Sequence, residues 1–226
     1  MLYRIVVITA LTLSLALPVF ADSDRDQDMS RIHHSAQVFQ EIMSAPDKAI
    51  PQNLLESAKC VVIIPSEEKA AFFVGERHGK GVATCRTQHG WSSPLFVAVG
   101  GGSFGLQFGA SSTDIVMLFM NDHALQSLLS DKFKIGGDVA AAAGPVGRHA
   151  AAGTDVKLNA EILTYARSKG VFAGVSLDGA VVQADHSGDQ AMYGRDVQRK
   201  QILDGGVSVP KVALPLTNEI SRYAKA

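Results

Sequence analysis

Residues 100–110 read GGGSFGLQFGA, and the order of side chains in this stretch decides which folds the chain can adopt. From residue 103 onward, Phe104, Leu106 and Phe108 alternate with small or polar residues. A repeat of two residues is the period of a β-strand, whereas an amphipathic helix repeats every three to four residues. The stretch therefore predicts that a strand, not a helix, follows the glycines.

The same stretch matches two functional motifs in spacing but not in context. Its glycines have the G-x-G-x-x-G spacing of dinucleotide-binding proteins, and Ser103 lies in the G-x-S-x-G pattern of serine hydrolases. Both motifs work because a helix begins directly after them. The predicted strand disfavours nucleotide binding. It also leaves a hydrolase that uses Ser103 with Asp178 and His186 as a minor alternative.

Further strands are predicted on both sides of this stretch from buried apolar runs. They cover residues 60–64, 71–74, 82–85, 95–99, 114–120, 162–166 and 171–177. Residues 75–79 (GERHG) between two of these runs have the composition of a hairpin loop. Most connections are too short for parallel crossovers, which require a dozen or more residues. A mainly antiparallel sheet is therefore expected.

Helices are predicted at both ends of the chain. Apolar residues of the segment 30–43 recur at spacings of three and four, and Pro46 ends that pattern. Short helices are expected over 52–58, opened by Pro51, and after Asn121, a good N-cap residue; a terminal helix is expected within 211–226. The predicted class is α+β: a strongly curved, Gly-rich, mainly antiparallel sheet bracketed by N-terminal and C-terminal helices.

Glycine use is unusual in its distribution. All 21 glycines lie between Gly75 and Gly206, without the strict period of collagen. Strips without side chains allow close approach of another backbone, a helix or an acyl chain. Close packing within a curved sheet and a lipid-binding slot are therefore both open interpretations.

The first residues have the features of a secretory signal peptide. Arg4 precedes the apolar run Ile5–Leu17, and residues 19–21 (VFA) form a small-residue cleavage site. The predicted organisation is a signal peptide over 1–21, an acidic mobile segment over 22–29 and a single domain over 30–226. We expect a periplasmic or secreted protein, cleaved near Ala21 and associated peripherally with a membrane.

Cys60 and Cys85 are the two cysteines of the chain. An exported protein meets an oxidising environment, which permits a disulfide between them. Two buried thiols in neighbouring strands are the alternative. The seven histidines lack metal-ligand spacing, so no metal site is expected.

Charge provides the main indication of a ligand. The formal net charge of −1 argues against general nucleic-acid binding. Clustered basic side chains can hold anionic lipid headgroups, although a solvated surface is the alternative. The candidate lipid-binding residues are Arg77, Lys80, Arg86, Arg148, Arg167 and Lys169. Trp91 and Phe172 are candidate membrane contacts, with core packing as the alternative for Trp91.

Several ordered motifs resemble the SYLF-domain family. They are GWSSP at 90–94, GGSFGLQFGA at 101–110, TDIV at 113–116, GPVGR at 144–148, YARSKGVFAGVSLDG at 165–179 and Tyr193-Gly194. The resemblance extends over roughly residues 30–225. It departs at Ser93, where the family often has Ala, and at Asp189 with Met192, where Asn and an aromatic residue are expected.

The resemblance implies a lipid-binding domain without enzymatic activity, cofactor or catalytic residues. Eukaryotic relatives bind phosphoinositide membranes and a yeast relative binds actin, but actin is implausible for a chain with this signal peptide. Binding of anionic phospholipid in a bacterial envelope is the expected function. The alternative is an envelope scaffold or stress protein that acts through a protein partner. Four of the candidate lipid-binding residues are favoured because they lie in or beside the matching motifs: Lys80, Arg148, Arg167 and Lys169.

Overall fold

The computed structural model describes residues 20–45, 49–71, 75–103, 109–147, 160–168, 171–195 and 197–224. Its helices are α1 (Phe20–Met43), α2 (Gln52–Ser57), α3 (Asp122–Leu129), α4 (His186–Tyr193), α5 (Arg199–Leu203) and α6 (Leu214–Tyr223). A 3₁₀ turn at Lys211–Ala213 leads into α6. Its strands are β1 (Cys60–Ala71), β2 (Gly75–Thr87), β3 (Gly90–Trp91), β4 (Leu95–Ser103), β5 (Gly109–Phe119), β6 (Lys132–Lys134), β7 (Ala141–Ala143), β8 (Ile162–Ser168), β9 (Val171–Gly174) and β10 (Val181–Ala184).

The strands form one strongly curled sheet with helices packed against it, which confirms the predicted α+β class. Its order is β6-β10-β4-β2-β1-β5-β8-β7, with β3 paired to β2 and β9 paired to β8. The sheet is mixed rather than purely antiparallel, because β7 pairs with β8 in parallel. Residues 144–161 separate these two strands, which is long enough for a parallel connection.

Both faces of the sheet are buried, which explains why β1 begins with an unbroken apolar run. Val61 and Ile63 face a core shared with α1, α2 and α6. Val62 and Ile64 face a second core, to which α3 and α5 contribute Leu128 and Ile202. Successive side chains of a strand point to opposite faces, so a strand covered on both sides needs apolar residues at every position.

Local chemistry sets several helix boundaries as expected. The side chain of Asn121 accepts a hydrogen bond from the Ala124 N–H at 2.8 Å and thus caps α3. Pro51 precedes α2, and a proline lies in the first turn of α6. These residues satisfy or remove backbone donors that a helix N-terminus leaves without partners.

Three boundaries differ from the sequence prediction. Residues 22–29, predicted as a mobile segment, belong to α1, and Asp28 is buried in an ion pair with Arg31. Residues 75–79, predicted as a loop, are part of β2, which pairs with β1 on one side and β4 on the other. The predicted strand over 103–110 is divided between β4 and β5, and residues 104–108 lie outside the described part of the chain.

Candidate functional site

A cleft of about 400 Å³ opens between α1 and β2, and we call it the α1–β2 cleft. Its described lining residues are Gln27, Ser30, Arg31, His34, Pro65, His78, Gly79 and Lys80. The four residues of α1 follow the helical i, i+3, i+4, i+7 spacing, so they share one face of that helix. His78 and Lys80 alternate along β2 and therefore point to the same side of the sheet. The cleft thus joins one stripe of a helix to one face of a strand.

The inner end of the cleft is built around the Arg31 guanidinium. Arg31 makes 2.8 Å contacts with both Asp28 of its own helix and Asp185, and its guanidinium carbon lies 5.2 Å from the centre of the Phe96 ring. Asp185 also caps α4 by accepting from the Gly188 N–H. Arg31 therefore ties α1 to the start of α4 and to the sheet beneath.

The pKa values of Asp185 and Asp28 shift in opposite directions in this environment. Burial disfavours the charged form of Asp185, but hydrogen bonds from Ser187 and Arg31 and the positive charge of Arg31 lower its pKa to about 2. Burial raises the pKa of Asp28 and outweighs the lowering effect of the same arginine. Asp185 is thus the more firmly ionised partner of Arg31.

The mouth of the cleft carries side chains that can donate hydrogen bonds to an anion. The Lys80 ammonium lies 3.5 Å from an Asp185 oxygen, and about half of its side chain (49%) is exposed. His34 and His78 are also exposed. Among the described lining residues there is no carboxylate. This arrangement can receive a small oxyanion.

Arg86 and Arg167, two other predicted lipid-binding residues, hold structural contacts. The Arg86 guanidinium donates to the carbonyl oxygens of Leu55, Glu56 and Ala58 at the end of α2, and it lies over the Trp91 ring. Arg167 pairs with Asp114 at 2.8 Å and with Glu41 of α1. Arg86 therefore anchors α2, and Arg167 links β8, β5 and α1.

The other predicted lipid-binding residues stay predictions. The backbone of Arg77 lies in β2, but its side chain belongs to the part that the structure does not describe. Arg148 and Lys169 lie outside the described residues altogether.

Burial of Trp91 and Phe172 disagrees with their predicted role as membrane contacts. They are 5% and 4% exposed. The Trp91 indole N–H donates to the Ala224 carbonyl at 3.2 Å, and the Phe172 ring stacks on Tyr165 at 5.5 Å. Since each ring fills the core beside α1 and α6, neither reaches the surface in this structure.

Cys60 and Cys85 are bonded to each other in the structure. They lie directly opposite one another on β1 and β2, and both are buried. A cross-strand pair at this position joins the two central strands of the sheet.

The residues of the hydrolase alternative have other partners. His186 contacts Asp131 at 3.1 Å, whereas Asp178 accepts a hydrogen bond from Ser176 at 2.7 Å. A serine nucleophile needs a base that is itself oriented by the acid. Asp178 and His186 therefore do not form the acid–base pair that a triad with Ser103 would require.

Sequence reasoning missed the centre of the cleft, Arg31 and Asp185. These residues are separated by 154 positions, and only the fold brings them together. His78 and Lys80 lie in a basic stretch of the sequence, which made them identifiable as candidates. Nothing in the sequence indicated that His34 of α1 lies opposite them.

Two further properties hold for the described part of the chain. No cluster of three His, Cys, Asp or Glu side chains there could hold a metal ion. None of its helices combines the length and the apolar character needed to span a membrane.

By its fold, this is an α+β protein whose curled sheet is covered by helices on both faces. The chain belongs to the Ysc84 family, the SYLF-domain family of the sequence resemblance, whose profile matches residues 100–223 and is described as "Las17-binding protein actin regulator".

Similar proteins occur in fungi and animals. The chain is 36% identical over 173 residues to an SH3 domain-containing protein of Schizosaccharomyces pombe and 35% identical over 174 residues to protein YSC84 of Saccharomyces cerevisiae. It is 32% identical over 191 residues to the human SH3 domain-containing YSC84-like protein 1. These alignments cover 75%, 75% and 83% of this chain, but 40%, 37% and 56% of the respective relatives.

Proposed function

We propose that this protein binds the surface of anionic phospholipid membranes in the bacterial envelope and catalyses no reaction there. The observation that carries the proposal is the mouth of the α1–β2 cleft, where Lys80, His34 and His78 are exposed on two facing walls. A lysine near an anionic membrane surface contributes about 1 kcal/mol of attraction. Membership in a family described as binding and regulatory supports a role without catalysis.

Export is part of the same proposal. The apolar run and cleavage site of residues 5–21 support it, as does the Cys60–Cys85 disulfide, because such bonds persist mainly in oxidising compartments. Cleavage after Ala21 would leave α1 beginning at Asp22, with acidic residues near its positive end. Intact-mass measurement of protein recovered from the periplasm tests the cleavage; protein that keeps residues 1–21 would contradict it.

Vesicle flotation tests membrane binding. The mature protein is expected to float with vesicles that contain phosphatidylglycerol and to remain behind with neutral phosphatidylcholine vesicles, and added salt should weaken the binding. Lys80→Gln should reduce the vesicle affinity about fivefold, the equivalent of about 1 kcal/mol.

The chain offers a matched control for that variant. The Lys59 side chain is 47% exposed and pairs with Asp122 at 3.3 Å, so it resembles Lys80 in exposure and pairing but lies outside the cleft. Lys59→Gln should float like the wild type. Equal recovery of the wild-type protein with neutral and anionic vesicles would refute the proposal.

A protein partner in the envelope is the second candidate function. The family description favours it, since it names a protein that is bound and a regulated assembly. Crosslinking in intact cells would then capture one defined protein, and purified protein would not float with any vesicle. Actin itself is not proposed as the partner.

A further inference from the structure

The side chains that line the α1–β2 cleft indicate which chemical group the cleft can bind. Six of its eight described lining residues carry side chains that can donate hydrogen bonds: Gln27, Ser30, Arg31, His34, His78 and Lys80. The carboxylates that neutralise Arg31, Asp28 and Asp185, do not appear in the lining. The described part of the wall is therefore rich in donors, and Asp28 and Asp185 contact Arg31 from outside the described lining.

Donors approach the cleft from two directions. Gln27, Ser30 and His34 come from α1, and His78 and Lys80 come from β2. A group bound between these walls needs acceptor oxygens on more than one side. The mostly polar lining of this cleft of about 400 Å³ suits a headgroup rather than an acyl chain, which needs apolar walls.

A phosphomonoester meets these requirements better than a phosphodiester. Its terminal phosphate has three acceptor oxygens and a charge of about −1.5 to −2 at neutral pH. A phosphodiester has a single charge and two non-bridging oxygens, and substituents on both sides hinder its entry between two walls. Each nearby imidazole has a ring N–H that can donate a hydrogen bond to one of the monoester oxygens.

We infer that the α1–β2 cleft is a binding site for a phosphomonoester group, contacted by Lys80, His78 and His34. This inference rests on the proposed membrane function, because it specifies the chemistry at that site. The group can come from a lipid with a terminal phosphate, such as phosphatidic acid, or from a soluble phosphate ester. Asp185 is a positioning residue in this site, since it holds Arg31 and restrains Lys80 in the absence of an anion.

Vesicles of matched surface charge test the inference. The mature protein should bind vesicles with phosphatidic acid at least about fivefold more tightly than vesicles with phosphatidylglycerol of equal zeta potential. Lys80→Gln and His78→Gln should lose that preference. Lys59→Gln and His89→Gln are the controls and should keep it, because both residues lie outside the cleft and His89 is likewise exposed.

The outcomes separate this inference from the proposed function. Equal binding to the two anionic vesicles, above that to neutral vesicles, would overturn the phosphomonoester site and leave membrane binding intact. No binding to either anionic vesicle would overturn both. A cleft variant that melts like the wild type and keeps the preference would also overturn the site.

A soluble competitor distinguishes the two sources of the group. If glycerol 3-phosphate displaces the protein from phosphatidic acid vesicles, the site is supported and accepts the phosphate without a membrane. If it does not compete while the preference holds, the site is supported and requires the lipid surface.

Discussion

At the scale of single residues, Asp185 shows how one carboxylate can serve both the fold and the proposed binding site. It caps α4, holds Arg31 at 2.8 Å and lies 3.5 Å from Lys80. Its side chain is almost fully buried, so its charge depends on these partners. The same contacts that stabilise its ionised form also place the cationic side chains of the α1–β2 cleft.

The pKa of Asp185 predicts a specific contribution to acid stability. The folded-state pKa of about 2 lies below the usual 3.8, so the ionised form stabilises the folded protein above about pH 4, and this contribution is lost as the pH falls toward 2. It amounts to about 2 kcal/mol. Chemical denaturation should therefore show that the advantage of wild type over Asp185→Asn shrinks by about that amount between pH 4 and pH 2.

Two neighbouring carboxyl groups, Asp28 and Asp189, act in the opposite direction. The pKa values of Asp28 and Asp189 are raised by burial, so their protonation near pH 4 favours the folded state, with the opposite sign. The charge of Asp185 contributes to both raised pKa values, so Asp185→Asn lowers them, and this change offsets part of the expected decrease. An advantage of the wild type that stays constant down to pH 2 would show that Asp185 is not the group responsible.

Gly144 bears on whether the glycines serve close packing or form a lipid-binding slot. A Cβ atom at this position would lie 2.1 Å from Cζ of Tyr165, and one at Gly174 would lie 2.0 Å from the Gly144 carbonyl oxygen. Tyr165 is fully buried and stacks on Phe172. Here the side-chain-free surface is covered by protein and is not an open lipid slot.

Gly144→Ala should therefore destabilise the protein. The Tyr165 ring cannot move aside without disturbing its stacking partner, so we expect a loss of about 1–3 kcal/mol of unfolding free energy, as is typical of overpacked cores. Gly137→Ala is the matched control, because its added Cβ would meet only the flexible Lys134 side chain at 3.4 Å. Urea denaturation measures both variants, and equal midpoints would contradict the packing argument.

At the scale of helices and strands, sequence patterns predicted the elements better than their boundaries. The apolar spacing of residues 32–43 correctly identified the buried face of α1, since Ile32, Phe39 and Ile42 are fully buried. The start of that helix was missed because its acidic first turns have no apolar stripe. Asp28 is buried there only because Arg31 and α4 lie against it, which is tertiary information.

The error at residues 75–79 has a similar cause. Glycine and charged residues usually indicate a turn, but here they form the first five residues of β2. This segment belongs to a central strand, which pairs with β1 and β4. Residues of this strand line the α1–β2 cleft. The composition of this segment departs from that of a usual strand, which is why its local sequence was misleading.

The Cys60–Cys85 bond provides a prediction at the same scale. It closes a loop with a sequence separation of 25 and joins β1 to β2 at the centre of the sheet. Restriction of the unfolded chain by a loop of this length corresponds to about 3.5 kcal/mol. The double variant Cys60→Ala/Cys85→Ala should lose about this much unfolding free energy. An unchanged denaturation midpoint would show that the bond adds nothing to the stability of the sheet.

At the scale of the whole molecule, the structure assigns different roles to basic residues that the sequence could not distinguish. Lys80 and Arg86 lie on the same strand, and both were predicted to bind lipid. The surrounding fold separates them: Lys80 opens into the α1–β2 cleft, whereas the Arg86 guanidinium is surrounded by the backbone carbonyls that end α2. Charge patterns along a sequence identify basic residues but not which of them already have protein partners.

This separation predicts opposite phenotypes for two variants of β2. Arg86→Gln removes charge-assisted hydrogen bonds to the α2 carbonyls, so it should lower the unfolding free energy by about 1.5–3 kcal/mol. Its affinity for anionic vesicles, measured well below its melting temperature, should equal that of the wild type. Lys80→Gln should show the reverse, with weaker vesicle binding and unchanged stability, because its ion pair with Asp185 is half exposed to solvent. If a fully folded Arg86→Gln variant loses vesicle binding as severely as Lys80→Gln, the headgroup contacts extend beyond the cleft to the far end of β2, and the division between anchoring and binding residues is wrong.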